Sequence, residues 1–326
     1  MRAVVFPGDG TIEIADRPAP DPGRGQLLVR VHGAGLNRAD LVQRAGHYPA
    51  PPGVPADIPG MEFSGEVEAL GADADSFTIG DRVFGIVGGG AQAELLVVHA
   101  SNCARVPEGM DLVEAGGIPE VFVTAHDALC TRAGLQSGEH VLVHAVGSGV
   151  GTAVVQLAKA LGCTVTGTAR TESKLDRACA LGLDHGVLAP SPFDAAALTA
   201  AVLAAGGEAD VTIELVGGGY VEVDLAAAAV QGRIVIVGTL AGGSVDLPLF
   251  MLMVKRLALH GTVLRARSIE QKAAATRAFI DEVVPLIEAG QVQPIVEQIL
   301  PLDEAAAAYD LLAGDATFGK VILRAI

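Results

Sequence analysis

The glycines of the segment HAVGSGVGTA, residues 144–153, are the most suggestive of chemistry in this chain. Glycine lacks a Cβ atom, so Gly149 and Gly151 allow a sharp turn and let a bound group approach the backbone closely. The N–H groups at the start of the helix that follows favour an anion such as a pyrophosphate. Thr152 replaces the last glycine of the strict G-x-G-x-x-G pattern. The segment therefore predicts a dinucleotide site, with an ordinary glycine turn of a parallel sheet as the alternative.

The elements around this turn are those that a dinucleotide site needs. The apolar strand Val141–His144 precedes the turn, the amphipathic helix Gly149–Leu161 follows it, and the strand Thr164–Thr168 comes next. Two more strands, Val211–Glu214 and Ile234–Val237, continue the alternation of strands and helices. This order predicts the α/β fold class, with a doubly wound parallel sheet of the Rossmann type.

The two ends of the chain have a different pattern. Residues 1 to about 105 alternate short β-like runs with Pro and Gly, which indicates a mainly antiparallel β domain. The strands predicted there are Gln26–Val31, Ser64–Ala69, Asp81–Val87 and Ala91–Val98. A helix is predicted over Asp111–Ala133, and the segment after Pro294 has the pattern of a strand, a helix and a last strand.

These patterns predict two domains. Residues 1–118 and 295–326 are expected to form the β-rich catalytic domain, and residues 119–294 the Rossmann domain. Ligands of doubly wound sheets bind at the carboxyl ends of the strands, so we expect the site in the cleft between the domains.

Charge and composition exclude several classes of function. The chain of 326 residues has a net charge of −16, which disfavours binding to the phosphates of a nucleic acid. No apolar run reaches the ~18 residues of a membrane span and no signal-like segment opens the chain, so we expect a cytoplasmic protein without a membrane partner. The four cysteines are scattered without a C-x-x-C pair, which favours reduced thiols over a disulfide framework or a zinc lobe.

Several segments together resemble the zinc-independent, zeta-crystallin-like quinone oxidoreductases of the medium-chain dehydrogenase/reductase superfamily. The resemblance covers nearly the whole chain, and its segments occur in the family's order: AGLNRADLVQRAGHYPAPPG, PGMEFSGEVEALG, IGDRVFGIVGGGAQAELLVV, IPEVFVTAHDAL, HAVGSGVGTAVVQLAKALG and FGKVIL. The serine in HAVGSGVGTA and the IPE before VFVTAH are similar to an NADPH-dependent quinone reductase branch. The resemblance implies a GroES-like catalytic domain, NADPH as the cofactor and a quinone as the substrate.

The zinc ligands of related alcohol dehydrogenases are absent. In those enzymes a cysteine stands at the position of Asn37 and a histidine at that of Met61, and the carboxylate of Glu62 by itself is a poor zinc site. We therefore expect no metal. The resemblance implies that Asn37 and Tyr48 line the acceptor pocket and donate hydrogen bonds to the carbonyl oxygen of the acceptor. Alternatively, Asn37 caps the helix that follows it and Tyr48 anchors a loop.

The end of the second Rossmann strand indicates which nicotinamide cofactor binds. NAD enzymes place an acidic residue there, whereas this chain has Ala169 and Arg170, with Lys174 just inside the next helix. Two cations at this position would neutralise the 2′-phosphate of NADPH, so the sequence favours NADPH as the cofactor. Alternatively, the two residues are ordinary surface charges. The family often has a tyrosine after the third strand, where this chain has Leu188. The resemblance implies further cofactor contacts at Thr124, Ser148, Gly149, Val150, Val216, Gly217, Gly238, Thr239, Leu264 and Lys320.

Three functions follow from these residues. The prediction is an NADPH:quinone oxidoreductase. One alternative is a 2-alkenal or enone reductase, which must also protonate its product, and another is an NADPH-binding regulatory protein with little turnover. The apolar run Leu257–Leu264 near the sheet edge predicts a homodimer, with burial inside one chain as the alternative.

Overall fold

The chain forms two compact units in the computed structural model, which describes residues 1–326. The first unit contains Met1–Val123 and Leu264–Ile326, and the second contains Thr124–Val263. The strands are β1 (Arg2–Val5), β2 (Glu13–Asp16), β3 (Gln26–Gly35), β4 (Glu62–Leu70), β5 (Arg82–Ile86), β6 (Leu95–His99), β7 (Cys103–Arg105), β8 (His140–Val143), β9 (Thr164–Ala169), β10 (His185–Leu188), β11 (Ala209–Glu214), β12 (Ala228–Ile236), β13 (Ala258–Gly261), β14 (Val296–Pro301) and β15 (Lys320–Arg324). The α-helices are α1 (Arg38–Arg44), α2 (Pro119–His126), α3 (Gly149–Ala160), α4 (Glu172–Cys179), α5 (Ala195–Gly206), α6 (Tyr220–Ala227), α7 (Leu249–Lys255), α8 (Ile269–Glu282), α9 (Val284–Glu288) and α10 (Ala305–Ala313). None of these helices is both long and apolar enough to cross a membrane.

The first unit is built on a seven-stranded sheet. Its order is β14-β15-β3-β4-β5-β7, and β6 also pairs with β3. Only β14 and β15 pair in parallel, and the other neighbours are antiparallel. Alternate residues of β3 point into the core, so Leu27, Val29 and Val31 are fully buried. The predicted mainly antiparallel domain is confirmed.

The second unit is a doubly wound sheet, as predicted. Its six strands are all parallel, in the order β10-β9-β8-β11-β12-β13. Val141, Leu142 and Val143 of β8 are all fully buried, because helices cover both faces of a parallel sheet. The strand order reverses between β8 and β11, and ligands of such sheets bind at the carboxyl ends of strands beside this reversal.

The single helix predicted over Asp111–Ala133 is wrong. The segment forms a 3₁₀ turn at Glu114–Gly117, then α2, then a π-helical turn at Asp127–Arg132. Gly116 lies against the backbone of Gly33, where an added Cβ would come within 2.5 Å of the Gly33 carbonyl group. The close approach and the proline at the start of α2 break the helix in two, although the apolar spacing continues through both parts.

The domain boundary also differs from the prediction. Residues 119–123 and 264–294, expected in the Rossmann domain, belong to the first unit. Phe279 of α8 packs edge-on against Phe84 of β5, with ring centroids 5.6 Å apart. A helical apolar pattern shows that α8 must bury one face, but it does not show which sheet covers that face.

Candidate active site

The glycine turn between β8 and α3 leads directly into the N-terminus of α3. Ser148 is the N-cap of α3, and its Oγ accepts a hydrogen bond of 3.0 Å from the Gly151 N–H and donates one of 2.8 Å to the Ala145 carbonyl. A Cβ at Gly151 would lie 2.4 Å from that carbonyl oxygen, so only glycine fits there. Ser148, Gly149 and Val150 are half-buried, which leaves the N-terminus of α3 accessible to an anion.

Two cations lie at the end of β9. Arg170 directly follows Ala169 and is exposed, and Lys174 is half-buried in the first turn of α4. An aromatic pair that the sequence reasoning missed lies nearby. Phe193 stacks on Tyr220, with ring centroids 4.6 Å apart. Burial raises the pKa of Tyr220, and the positive charge of Arg170 offsets part of this rise.

The loops after β11 and β12 come into close contact. Gly217 has a φ of +76°, and a Cβ there would lie 2.7 Å from the Thr239 Cα. A Cβ at Gly238 would lie 2.4 Å from the Leu215 carbonyl oxygen. Both glycines are therefore required for this approach, which brings the predicted residues Val216, Gly217, Gly238 and Thr239 together at the carboxyl ends of the strands.

A buried polar cluster holds the loop after β11. Glu214 Oε1 accepts hydrogen bonds from the N–H groups of Val216 and Gly217. His144 Nε2 lies 2.8 Å from Asp224 Oδ1 and 3.9 Å from Glu214 Oε2, and its Nδ1 lies 2.9 Å from Thr168 Oγ1. Burial lowers the pKa of His144 and raises the pKa of both carboxyl groups, so the cluster favours a neutral imidazole and a protonated carboxyl.

A cavity of about 370 Å³ opens at the carboxyl ends of β12 and β13. Its lining residues are Ile236, Val237, Thr239, Gly261, Thr262 and Val263. The lining is mainly apolar, and its position next to Thr239 is where a doubly wound sheet binds its ligand.

In the first unit, Lys320 is the centre of a buried ion-pair network. Its ammonium lies 2.6 Å from Glu62 Oε1 and 2.8 Å from Asn37 Oδ1, and it also donates to the Leu36 carbonyl. Asn37 Nδ2 donates to the same Glu62 oxygen at 3.0 Å. Glu62 is fully buried and Lys320 is 4% exposed. All three N–H groups of the Lys320 ammonium therefore have an acceptor inside this unit.

Asn37 also begins α1, as the capping alternative predicts. Its backbone is extended at the N-cap position, and its N–H donates a 2.9 Å hydrogen bond to Asp40 Oδ2. Asp40 is fully buried, and burial raises its pKa to about 6. Asp40 is therefore part of the buried network around Asn37.

Tyr48 is held by an arginine that the sequence reasoning missed. The Arg265 guanidinium lies 4.8 Å from the centre of the Tyr48 ring and donates to the Tyr48 carbonyl at 3.0 Å. It also donates to the Gly88 carbonyl and to Gln43 Oε1, and it is 3% exposed. No hydrogen bond engages the half-buried Tyr48 hydroxyl, which leaves it available to a ligand. A single arginine directly after an apolar run was the available signal.

The Glu120 side chain lies in the same part of the first unit. Its backbone N–H, in the first turn of α2, donates a 2.9 Å hydrogen bond to Glu62 Oε2. Burial, together with the negative charges of Glu62 and Asp40, raises the pKa of Glu120 to about 8. The remaining predicted contacts, Thr124 and Leu264, are both buried.

Comparisons with known proteins identify the family. The alcohol dehydrogenase GroES-like domain matches residues 23–108, and the zinc-binding dehydrogenase family matches residues 149–280. A quinone oxidoreductase of Pseudomonas aeruginosa is 32% identical over 326 residues, which cover 99% of this chain and 98% of that protein. The chain belongs to the quinone oxidoreductase family of the medium-chain dehydrogenase/reductase superfamily.

Other proteins that are similar to this chain include one further curated relative and two solved structures, one named for NAD and the other for NADPH. A synaptic vesicle membrane protein VAT-1 homolog-like of Mus musculus is 42% identical over 175 residues, covering 52% of this chain and 42% of that protein. The structure titled NAD-dependent alcohol dehydrogenase has a TM-score of 0.85 and 33% identity, and covers 99% of each chain. The mycobacterial protein Rv1454c complexed with NADPH has a TM-score of 0.89 and 28% identity, also over 99% of each chain.

Proposed function

We propose that the protein is a zinc-independent quinone reductase that uses NADPH. The observation that carries the proposal is the buried network of Lys320, Glu62 and Asn37. In this network the Lys320 ammonium occupies the oxygen atoms that a catalytic metal would need as ligands. Zinc-dependent alcohol dehydrogenases use their metal as a Lewis acid, whereas a quinone accepts hydride without one. Within a quinone oxidoreductase family, this charge arrangement favours the quinone reaction.

The residues around Asn37 do not fit a zinc ion. An amide stands at position 37 and a buried thioether at position 61, neither of which is a usual zinc ligand. The Lys320 ammonium lies 2.6 Å from the Glu62 carboxylate, and a metal cation at the same place would be repelled by this ammonium. No step of the reaction is therefore assigned to a metal.

We infer that the second unit binds a nicotinamide dinucleotide, because its glycines permit the sharp turn before α3 and the close approach of the loops after β11 and β12 at the carboxyl ends of the strands. We assign Ser148, Gly149 and Val150 to the pyrophosphate, and Arg170 and Lys174 to a 2′-phosphate. The Val216–Gly217 and Gly238–Thr239 loops, beside the apolar cavity, are assigned to the nicotinamide ribose. When bound, NADPH supplies the hydride.

In the first unit, Tyr48 is the residue that donates a hydrogen bond to the acceptor as negative charge develops on it. Its hydroxyl has no partner in the chain, and burial raises the pKa of Tyr48, so it remains a hydrogen-bond donor at neutral pH. Arg265 fixes the ring and the backbone of Tyr48, so the donor is held in place before the charge develops. Asn37 and Lys320 act through the backbone that they hold, since both side chains are already engaged.

The function is tested by anaerobic NADPH oxidation with the purified protein. A panel of ortho- and para-quinones is compared with 2-alkenals at matched concentrations, with NADH as the control cofactor. We expect turnover that is selective for quinones and for NADPH. A preference for alkenals would instead identify an enone reductase, and tight NADPH binding without turnover would identify a cofactor-binding protein.

The choice of NADPH is tested by removing the two cations together. In Arg170→Ala/Lys174→Ala, loss of charge-assisted contacts to a 2′-phosphate costs about 1.5–3 kcal/mol per bond, so the Kd for NADPH should rise at least ~10-fold. The Kd for NADH should stay the same. Arg177→Ala, on the same helix, is the matched control. An equal change for both cofactors would show that the two cations do not recognise the 2′-phosphate.

We also propose a homodimer formed at the outer edge of the Rossmann sheet. The edge strand β13 pairs only with β12, and α7 exposes Leu249, Phe250, Met253 and Val254 at 66, 78, 72 and 60%. An apolar patch of this kind next to an open strand edge favours a second copy of the chain. Phe250→Asp/Met253→Asp should halve the mass measured by light scattering, and an unchanged mass would refute the proposed interface.

A cytoplasmic location is the last part of the proposal. No disulfide joins the four cysteines, which is typical of a reducing compartment. Fractionation of the source cells with an antibody against the protein tests this location.

A further inference from the structure

The buried polar cluster of His144, Glu214 and Asp224 contains two carboxyl groups and no lysine or arginine. All three side chains are fully buried, and the histidine is the only basic group paired with either carboxyl group. No N–H or hydroxyl group of the chain donates to Glu214 Oε2 or to Asp224 Oδ2. A buried carboxylate oxygen without a partner is unfavourable, so these two atoms need either a proton or a cation.

The second unit brings the three side chains together from separate elements. His144 directly follows β8 and Glu214 ends β11, and these two strands are parallel neighbours, so the two residues lie side by side. Asp224 belongs to α6. The ring of Tyr220, at the start of α6, lies edge-on against the His144 ring, with centroids 4.9 Å apart. The cluster is therefore enclosed by elements of the second unit alone.

The spacing of the donor atoms suits a four-coordinate metal ion. His144 Nε2 lies 2.8 Å from Asp224 Oδ1 and 3.9 Å from Glu214 Oε2. One ligand atom from each of the three residues lies within 4.8 Å of the other two. The ligands of a tetrahedral zinc ion lie about 3.4 Å apart, at bond lengths of about 2.0–2.2 Å. The two separations measured from His144 lie on either side of this value.

Thr168 orients the imidazole for binding a metal. His144 Nδ1 lies 2.9 Å from Thr168 Oγ1, and a proton donated from Nδ1 to this oxygen leaves the lone pair of Nε2 facing the two carboxyl groups. In metal sites, the second ring nitrogen of a ligating histidine commonly donates such a hydrogen bond. Imidazole together with carboxylate suits a divalent ion such as Zn²⁺, whose charge two carboxylates balance.

We propose that His144, Glu214 and Asp224 bind a divalent metal ion, best matched by Zn²⁺, which stabilises the second unit and takes no part in hydride transfer. The ion cross-links the ends of β8 and β11 to α6. Glu214 Oε1 accepts hydrogen bonds from the N–H groups of Val216 and Gly217, so the ion also holds the loop after β11. In the metal-free protein a proton takes its place, because burial raises the pKa of both carboxyl groups.

The experiment loads the site while the chain folds, because the three ligands are fully buried. The protein is produced in minimal medium with added Co²⁺ and dialysed, and its metal content and visible spectrum are measured. We expect one cobalt ion per chain, the strong visible absorption of a four-coordinate ion, and a higher melting temperature than without metal. Competition with a chelator gives the affinity. Thr168→Val, which removes only the hydrogen bond to the imidazole, should weaken binding ~10–100-fold, and Asp224→Asn should weaken it more.

His140→Gln is the matched control. His140 lies in β8, and its Nε2 also contacts a threonine hydroxyl of β9, that of Thr166 at 2.8 Å, but its Nδ1 faces the Glu208 carbonyl and no carboxyl group. This variant should bind cobalt as the wild type does. A wild type without bound metal would overturn the proposal, and so would an Asp224→Asn variant that binds cobalt as tightly as the wild type.

X-ray absorption of the zinc-loaded wild type decides the question if a variant does not fold. A first shell of nitrogen and oxygen atoms at about 2.0–2.2 Å supports the proposed site, whereas sulfur at about 2.3 Å would place the ion at a cysteine and overturn it. These measurements involve neither NADPH nor a quinone. Their outcome is therefore independent of whether the protein is a quinone reductase.

Discussion

Replacing Lys320 by methionine should destabilise the first unit strongly. The substitution keeps most of the side-chain volume but removes the ammonium, which binds Glu62, Asn37 and the Leu36 carbonyl. Glu62 is fully buried and would keep only the neutral donors Asn37 Nδ2 and the Glu120 N–H. Removing one partner of a buried ion pair leaves an uncompensated charge, which costs about 3–5 kcal/mol.

The cost is measured by urea unfolding followed by circular dichroism, with hydrogen exchange of peptides from β15 reporting the first unit. In Glu62→Gln/Lys320→Met the buried charge is gone as well, so the loss should be smaller than the sum of the two single losses. Contacting residues couple by about 0.5–3 kcal/mol, and we expect a value in the upper part of that range.

Lys159→Met is the matched control, because Lys159 pairs with Asp184 at a partly exposed position. Such a pair is worth about 1 kcal/mol or less. If Lys320→Met costs no more than Lys159→Met, the argument from burial is refuted. If it keeps its stability but loses NADPH affinity, Lys320 serves the cofactor, as the family resemblance implied.

Three further outcomes follow from the geometry of the two units. Gly217→Ala should weaken NADPH binding at least ~10-fold, because the alanine Cβ would lie 2.7 Å from the Thr239 Cα at a φ of +76°. Isothermal titration measures the affinity for NADPH, and an unchanged affinity would contradict the prediction. Arg265→Lys should raise KM for the quinone more than it lowers kcat, since lysine cannot make the forked contacts that hold Tyr48. Steady-state kinetics measures the changes in KM and in kcat separately. The raised carboxyl pKa of Asp224, about 8, means that the folded state binds more protons than the unfolded state between about pH 4 and 8, so stability falls as pH rises through this window. Asp224→Asn should flatten that fall in urea midpoints measured from pH 5 to 8.

The local sequence predicted the parts of the protein that short-range chemistry determines. A glycine turn between an apolar strand and an amphipathic helix indicated the fold of the second unit, because the turn geometry excludes a Cβ at Gly151 whatever the rest of the chain does. The alternation of Leu27, Val29 and Val31 indicated a strand with one buried face. The residue types at positions 37 and 61, Asn and Met, likewise indicated that the zinc ligands of related enzymes are absent.

Only the tertiary structure decided which distant residues meet. Lys320 binds Asn37, 283 positions earlier, and Arg265 binds Gln43, 222 positions earlier. No periodicity encodes such contacts, because they depend on how separate elements pack after each has formed. For the same reason the sequence placed α8 in the wrong domain: it showed that the helix has an apolar face but not that β5 covers it.

Protonation states also depend on tertiary structure. Glu120 is an ordinary first-turn acid in the sequence, and its charge becomes unfavourable only where burial, Glu62 and Asp40 surround it. The sequence thus determined the fold class and the cofactor-type turn through local geometry, and the three-dimensional arrangement determined the chemistry by setting the dielectric surroundings and the partners of each charge.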